Sequence, residues 1–235
     1  VRDATDKDVA WSRLMDEMGR HDCGYIGYDG ARAQYLRHFP DGFDSDKHRV
    51  GERNYKIAAR DRLLAVAPLE SALEADGQAA AAVSAFTATN LLSPYELMRV
   101  ADMLRGPDDD AVLRAAARFT QDPGTTTLAA YAALLKKAGC AKWTAATYLP
   151  FLWRPDLHMF LKPVVTCDYA KRVGHSFAHV YAPSLDFSTY RALLDLTARA
   201  HEHLSDLAPQ DNIDVQSFIW VVGAYAPEHG DAPLN

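Results

Sequence analysis

Apolar residues recur along most of this chain at intervals of three and four, the spacing of a helix face, and glycines and prolines break the runs at turn positions. Asp6 to Arg20 reads as a first helix, with Val9, Leu14 and Met18 among its apolar positions. In HDCGYIGYDG, the glycines at 24, 27 and 30 predict a loop or a short strand pair, with Asp29-Gly30 as a turn. Ala31 to Phe39 leads to the turn Pro40-Asp41-Gly42. Arg49 to Val66 is helical again: Tyr55, Ala58, Ala59, Leu63 and Val66 fall near one face, while Arg49, Arg53, Lys56 and Arg60 line another.

An alanine-rich helical region begins at Pro68. After it, Ser93 is a good N-cap, Pro94 suits the first helical position, and Leu97, Val100, Ala101 and Leu104 repeat at i, i+3, i+4 and i+7 before Gly106. The acidic triplet Asp108 to Asp110 suits the positive end of a helix through Val112 to Phe119. Thr125 to Thr127 start the next helix, which buries Leu128, Tyr131, Ala132 and Leu135 and stops at Gly139.

The second half opens on Tyr148 to Pro163, YLPFLWRPDLHMFLKP, where Tyr148, Phe151, Trp153 and Phe160 crowd together. A short helix here should turn extended around Pro155 and Pro163, with HMFLKPVV as a short strand. Ser184 to Leu204 forms a helix burying Tyr190, Leu193, Leu194, Thr197, Ala200 and Leu204. In DNIDVQSFIWVVGAY, Asp214 can cap a helix ending at Gly223, although alternation also allows a strand. The tail PEHGDAPLN should be loose. The fold expected is mainly α, a multi-helix globular domain with at most a minor strand component. It occupies 1–235, with helical lobes at about 1–138 and 139–225 as a further division.

Composition narrows the function classes. Hydrophobic residues make up 49% and charged residues 24% of the 235, as in ordinary globular domains. The net charge of −6 argues against a generally basic nucleic-acid binder but permits a local patch. One such patch lies between Lys47 and Arg62, where six Lys/Arg face two acids, Glu52 and Asp61. As a ridge these cations would grip phosphates, with steep salt dependence; as a solvated helix face they would do nothing. Cys23, Cys140 and Cys167 form no CxxC pattern, which predicts a reducing, cytoplasmic setting. No run reaches the roughly eighteen apolar residues of a membrane span, and the opening VRDATDKD is unlike a signal peptide.

Chemistry is sparse. There is no GxSxG elbow and no Glu-x-Lys nuclease signature, so no catalytic residue, metal ligand or cofactor is assigned. His175 and His179 at i,i+4 make a weak metal pair without HExxH support. Trp153, His158 and Lys162 are candidates for bordering a recognition pocket, and Gln216 and Trp220, one helical turn apart, share that reading; the alternative for all five is core packing.

GERNYKIAARDRL, TNLLSPYE, YLPFLWRPDLHMFLKP and DNIDVQSFIWVV, in that order, resemble a widespread family of uncharacterised bacterial proteins, over roughly residues 35–225. The C-terminal stretch also looks like pieces found near restriction-type ATPases and other defence proteins. The resemblance therefore implies a link to nucleic acid, without catalytic residues. The expectation is a binding module associated with nucleic acid, in which Arg49, Arg53, Lys56 and Arg60 meet phosphates beside Trp153, His158, Lys162, Gln216 and Trp220. A protein–protein adaptor is one alternative. An enzyme with a site assembled from distant residues, such as His158 with Asp156 or Glu96, is another, and the balance leans away from it.

Overall fold

The computed structural model describes residues 24–224 continuously, and before them Ala10, Arg13, Leu14, Glu17, Met18 and Arg20. The expected helix Asp6 to Arg20 lies largely outside the described residues, and the tail after 224 lies wholly outside them. The longer helices are α1 (Gly27–His38), α2 (Asn54–Val66), α3 (Ala79–Phe86), α4 (Pro94–Met103), α5 (Asp109–Gln121), α6 (Thr125–Lys137), α7 (Trp143–Trp153), α8 (Pro163–Val173), α9 (Phe187–His203) and α10 (Asn212–Ala224). The chain is mainly α, and no strand occurs among the described residues.

Local signals set many boundaries. Ser93 Oγ accepts the Glu96 N–H while the Glu96 carboxylate accepts the Ser93 N–H, closing a capping box at the start of α4. Asp186 caps α9 by accepting the N–H groups of Ser188 and Thr189. Gly139 follows α6 in the left-handed region.

Four expectations need correction. Residues 24–30 form no strand pair and only 24–26 are a loop: left-handed Gly24 and Gly27 swing the chain into α1, the Ile26 N–H donates to Arg172 O, and Asp29-Gly30, expected as a turn, lies inside the helix. Residues 158–162 are not a strand, and Pro163 with the two valines after it already belongs to α8; remote side chains satisfy part of the segment's backbone. The Leu161 N–H donates to Thr147 Oγ1 at 2.9 Å, and Asn212 Nδ2 donates to His158 O at 3.0 Å. DNIDVQSFIWVVGA keeps the helical reading over the strand alternative, but Asp214 does not cap it, since α10 starts at Asn212 and Asp214 lies inside the first turn. Finally, Gly223 does not end α10; a Cβ there would sit 2.4 Å from Val165 O, so glycine lets α10 and α8 approach backbone to backbone.

Two helices are buried on nearly every side, α7 because it is almost wholly apolar and α10 although it carries Asn212, Asp214, Gln216 and Ser217. Every residue of α7 is buried, and α7 packs against α2, α5 and α6. All of α10 is buried except Trp220, which is half-buried; α10 packs against α8, α1 and α9. One continuous apolar cluster joins both neighbourhoods, and Trp153 Nε1 ties α7 to the end of α2 by donating to Ala67 O at 2.8 Å.

Candidate functional site

The first turn of α10 faces the segment that leads into α2. Arg49–Arg53 winds as a π turn, a wider spiral common where helices carry function. Arg53 grips Asp211 with two hydrogen bonds of 2.8 and 2.9 Å and adds a third, at 2.8 Å, to Asp214. Asp214 is fully buried; it also accepts the Gln210 N–H and shares a 3.2 Å hydrogen bond with His48, which in turn meets Tyr35 Oη at 2.9 Å. Burial opposes the Asp214 charge, yet the His48 bond, the Gln210 N–H and Arg53 hold its carboxyl below the usual range. Burial likewise opposes the Arg53 charge, and the bonds to its two aspartates more than offset it.

Lys56 is fully buried one turn further on, donating to Ser217 Oγ at 2.8 Å and to Glu52 at 3.4 Å. Burial brings its pKa down to about 8, with Glu52 pulling the other way. The expected ridge of four cations is therefore not a surface feature. The inner face of α2 runs through Lys56, Ala59 and Leu63, while Ala58 is exposed, so the helix is rotated from the face that its apolar residues suggest. Arg49 alone of the four is exposed, and it pairs with Asp46 at 2.7 Å. Arg60 is half-buried, its Nε without a hydrogen-bond partner.

Beside this network lies a cleft of about 510 Å³, lined among others by Glu52, Tyr55, Asn90, Lys162, Gln216 and Trp220. Pro163 at the first position of α8 keeps Lys162 extended at its N-cap, and the Lys162 ammonium rests 4.5 Å from the centroid of the Trp220 ring. Burial lowers the Lys162 pKa, partly offset by Glu96. Lys162 makes no ion pair among the described residues, whereas Glu52 shares its charge with Lys56. Gln216 is 4% exposed, yet its Oε1 has no hydrogen-bond partner. A buried acceptor that lines a cleft gains about 1–3 kcal/mol from a donor, water or ligand, placed against it.

The structure thus gathers Lys162, Gln216 and Trp220 and excludes two other candidates. Trp153 is core. His158 is fully buried between Tyr190 Oη at 2.6 Å and Thr120 O at 2.9 Å, and burial lowers its pKa. Asp156 is taken by Arg154, and Glu96 by Ser93 and Thr144, so neither is a hydrogen-bond partner of His158. His175 bonds Asp195 at 3.1 Å and accepts the Phe177 N–H, while His179 is exposed. No group of His, Cys, Asp and Glu among the described residues forms a metal cluster, and no helix among them is long and apolar enough to cross a membrane.

Glu52, Tyr55 and Asn90 line the cleft but are not among the site candidates read from the sequence. A signal was present: the four stretches quoted for the family resemblance each send a residue to the cleft, namely Glu52, Asn90, Lys162, and Gln216 with Trp220. No protein-family model, curated protein or solved structure matches the chain.

Proposed function

We propose that the chain is a binding module that takes one nucleotide unit of a single-stranded nucleic acid into this cleft. The observation that carries the reading is the unpartnered, buried Gln216 amide oxygen beside the Lys162–Trp220 pair. Indole is a stacking platform for a base, an ammonium without a carboxylate partner suits a phosphate, and a buried amide is suited to a base edge. The free thiols of Cys140 and Cys167 support a reducing, cytoplasmic setting, and the family resemblance supports a bacterial, DNA-related one.

Titrating short single-stranded oligonucleotides while following tryptophan fluorescence tests this. Lys162→Glu should weaken binding at least about tenfold, and Trp220→Ala should remove most of the fluorescence change. With one lysine at the phosphate rather than four, log K should fall with log salt at a slope of about −0.7, not about −2.8. If no strand binds at low salt, or Lys162→Glu binds as well as the parent, the reading is wrong. Val50 and Val164, 72% and 73% exposed near the cleft, favour a protein–protein adaptor as the second reading. One stoichiometric protein partner, captured free of nucleic acid and lost on Val164→Asp, would favour it.

A further inference from the structure

We infer that the base the cleft selects is guanine, read on its Watson–Crick edge by Glu52 and Gln216. This inference rests on the nucleotide reading above. The wall that carries these two side chains is rich in acceptors: a Glu52 carboxylate of which one oxygen meets Lys56 at 3.4 Å, and the open Gln216 Oε1. Lys56 holds Glu52 from behind, and Ser217, next to Gln216 on α10, holds Lys56, so the acceptors belong to one hydrogen-bonded frame.

A wall of acceptors needs a ligand edge that presents several adjacent N–H groups. Guanine offers N1–H and the N2 amine side by side, which matches two carboxylate oxygens, with the second amine hydrogen left for an amide oxygen. Adenine and cytosine would turn ring-nitrogen acceptors towards the carboxylate, and uracil or thymine has one N–H between two carbonyls. Asn90, exposed at the cleft, adds an amide able to donate to O6. Trp220 and Lys162 then supply stacking and charge without choosing among bases.

The test is competition on the full chain between oligothymidine strands that carry one central guanine, hypoxanthine, adenine or cytosine. The guanine strand should bind about tenfold or more tighter than the adenine and cytosine strands, with hypoxanthine, which lacks the N2 amine, in between. Glu52→Gln should bring the four affinities together. Because Glu52 also pairs with buried Lys56, the hypoxanthine strand on the unaltered chain provides the readout that needs no mutation. Binding of adenine or cytosine as tight as guanine, or of hypoxanthine equal to guanine, overturns the inference while leaving the nucleotide reading in place. If none of the strands binds, both fall.

Discussion

Lys56 offers a direct measure of whether the wall behind the cleft is as dry as its geometry implies. Its ammonium is fully buried, 2.8 Å from Ser217 Oγ and 3.4 Å from Glu52, and burial brings its pKa from an ordinary 10.5 down to about 8. Below that value both folded and unfolded chains carry the proton, so its contribution to stability is flat. Between about 8 and 10.5 the unfolded chain still holds a proton that the folded chain has released, and stability rises with pH. At 1.36 kcal/mol per pKa unit, the full swing is about 3 kcal/mol. Urea unfolding of the parent and of Lys56→Met at pH 7, 8, 9 and 10 isolates this contribution, since the buried tyrosines titrate in both and cancel. The parent should gain on the variant by about 2 kcal/mol across that range. Parallel stability curves would mean that water reaches Lys56, and the frame behind the cleft would then be open.

Other substitutions probe the elements that place the site. Gly223→Ala puts a Cβ 2.4 Å from Val165 O and must prise α10 from α8, lowering thermal stability by about 3 kcal/mol or more, whereas Gly51→Ala meets nothing within 4 Å and should be near neutral. Equal melting temperatures for the two would contradict the close approach of those helices. Arg53→Met takes the cation from Asp211 and Asp214, leaving Asp214 with His48 and the Gln210 N–H, and should cost about 3 kcal/mol in urea unfolding; a loss below about 1 kcal/mol would place the pair in solvent.

Much of the helical framework was legible because its causes are local. Ser93 with Pro94 and Glu96 announces the start of α4, and Gly139 announces the end of α6, from a few neighbouring residues. The inner face of α2 was not legible, since a lysine in the buried stripe reads as polar until Ser217, 161 positions away, supplies its acceptor. The same holds for residues 158–162, where the Leu161 N–H and His158 O are satisfied by Thr147 and Asn212 side chains and not by a strand. Glu52 stands four residues before Lys56, but that spacing is the same for a solvated pair and a buried one. Lys162, Gln216 and Trp220 were legible as residues of interest; their meeting was not, because it depends on the contact of Gly223 with Val165.

The buried ions are hard to account for by stability alone, since apolar side chains of similar volume in such places are often as stable or more so. A positioning role fits better, and Ser217 separates the two roles. It contributes nothing to the lining of the cleft, yet it accepts from Lys56, which holds Glu52, and it sits beside Gln216 on α10. Ser217→Ala removes the 2.8 Å acceptor of Lys56 and should cost about 1.5–3 kcal/mol, the range for a hydrogen bond to a charged group. If Lys56 and Glu52 position the acceptor wall, the same change should also narrow the preference for a guanine strand over an adenine strand, while leaving intact the Lys162-dependent affinity common to all strands. A stability loss with the base preference unaltered would assign the network to folding alone, and Glu52 would then be held in place by the π turn without help from Lys56.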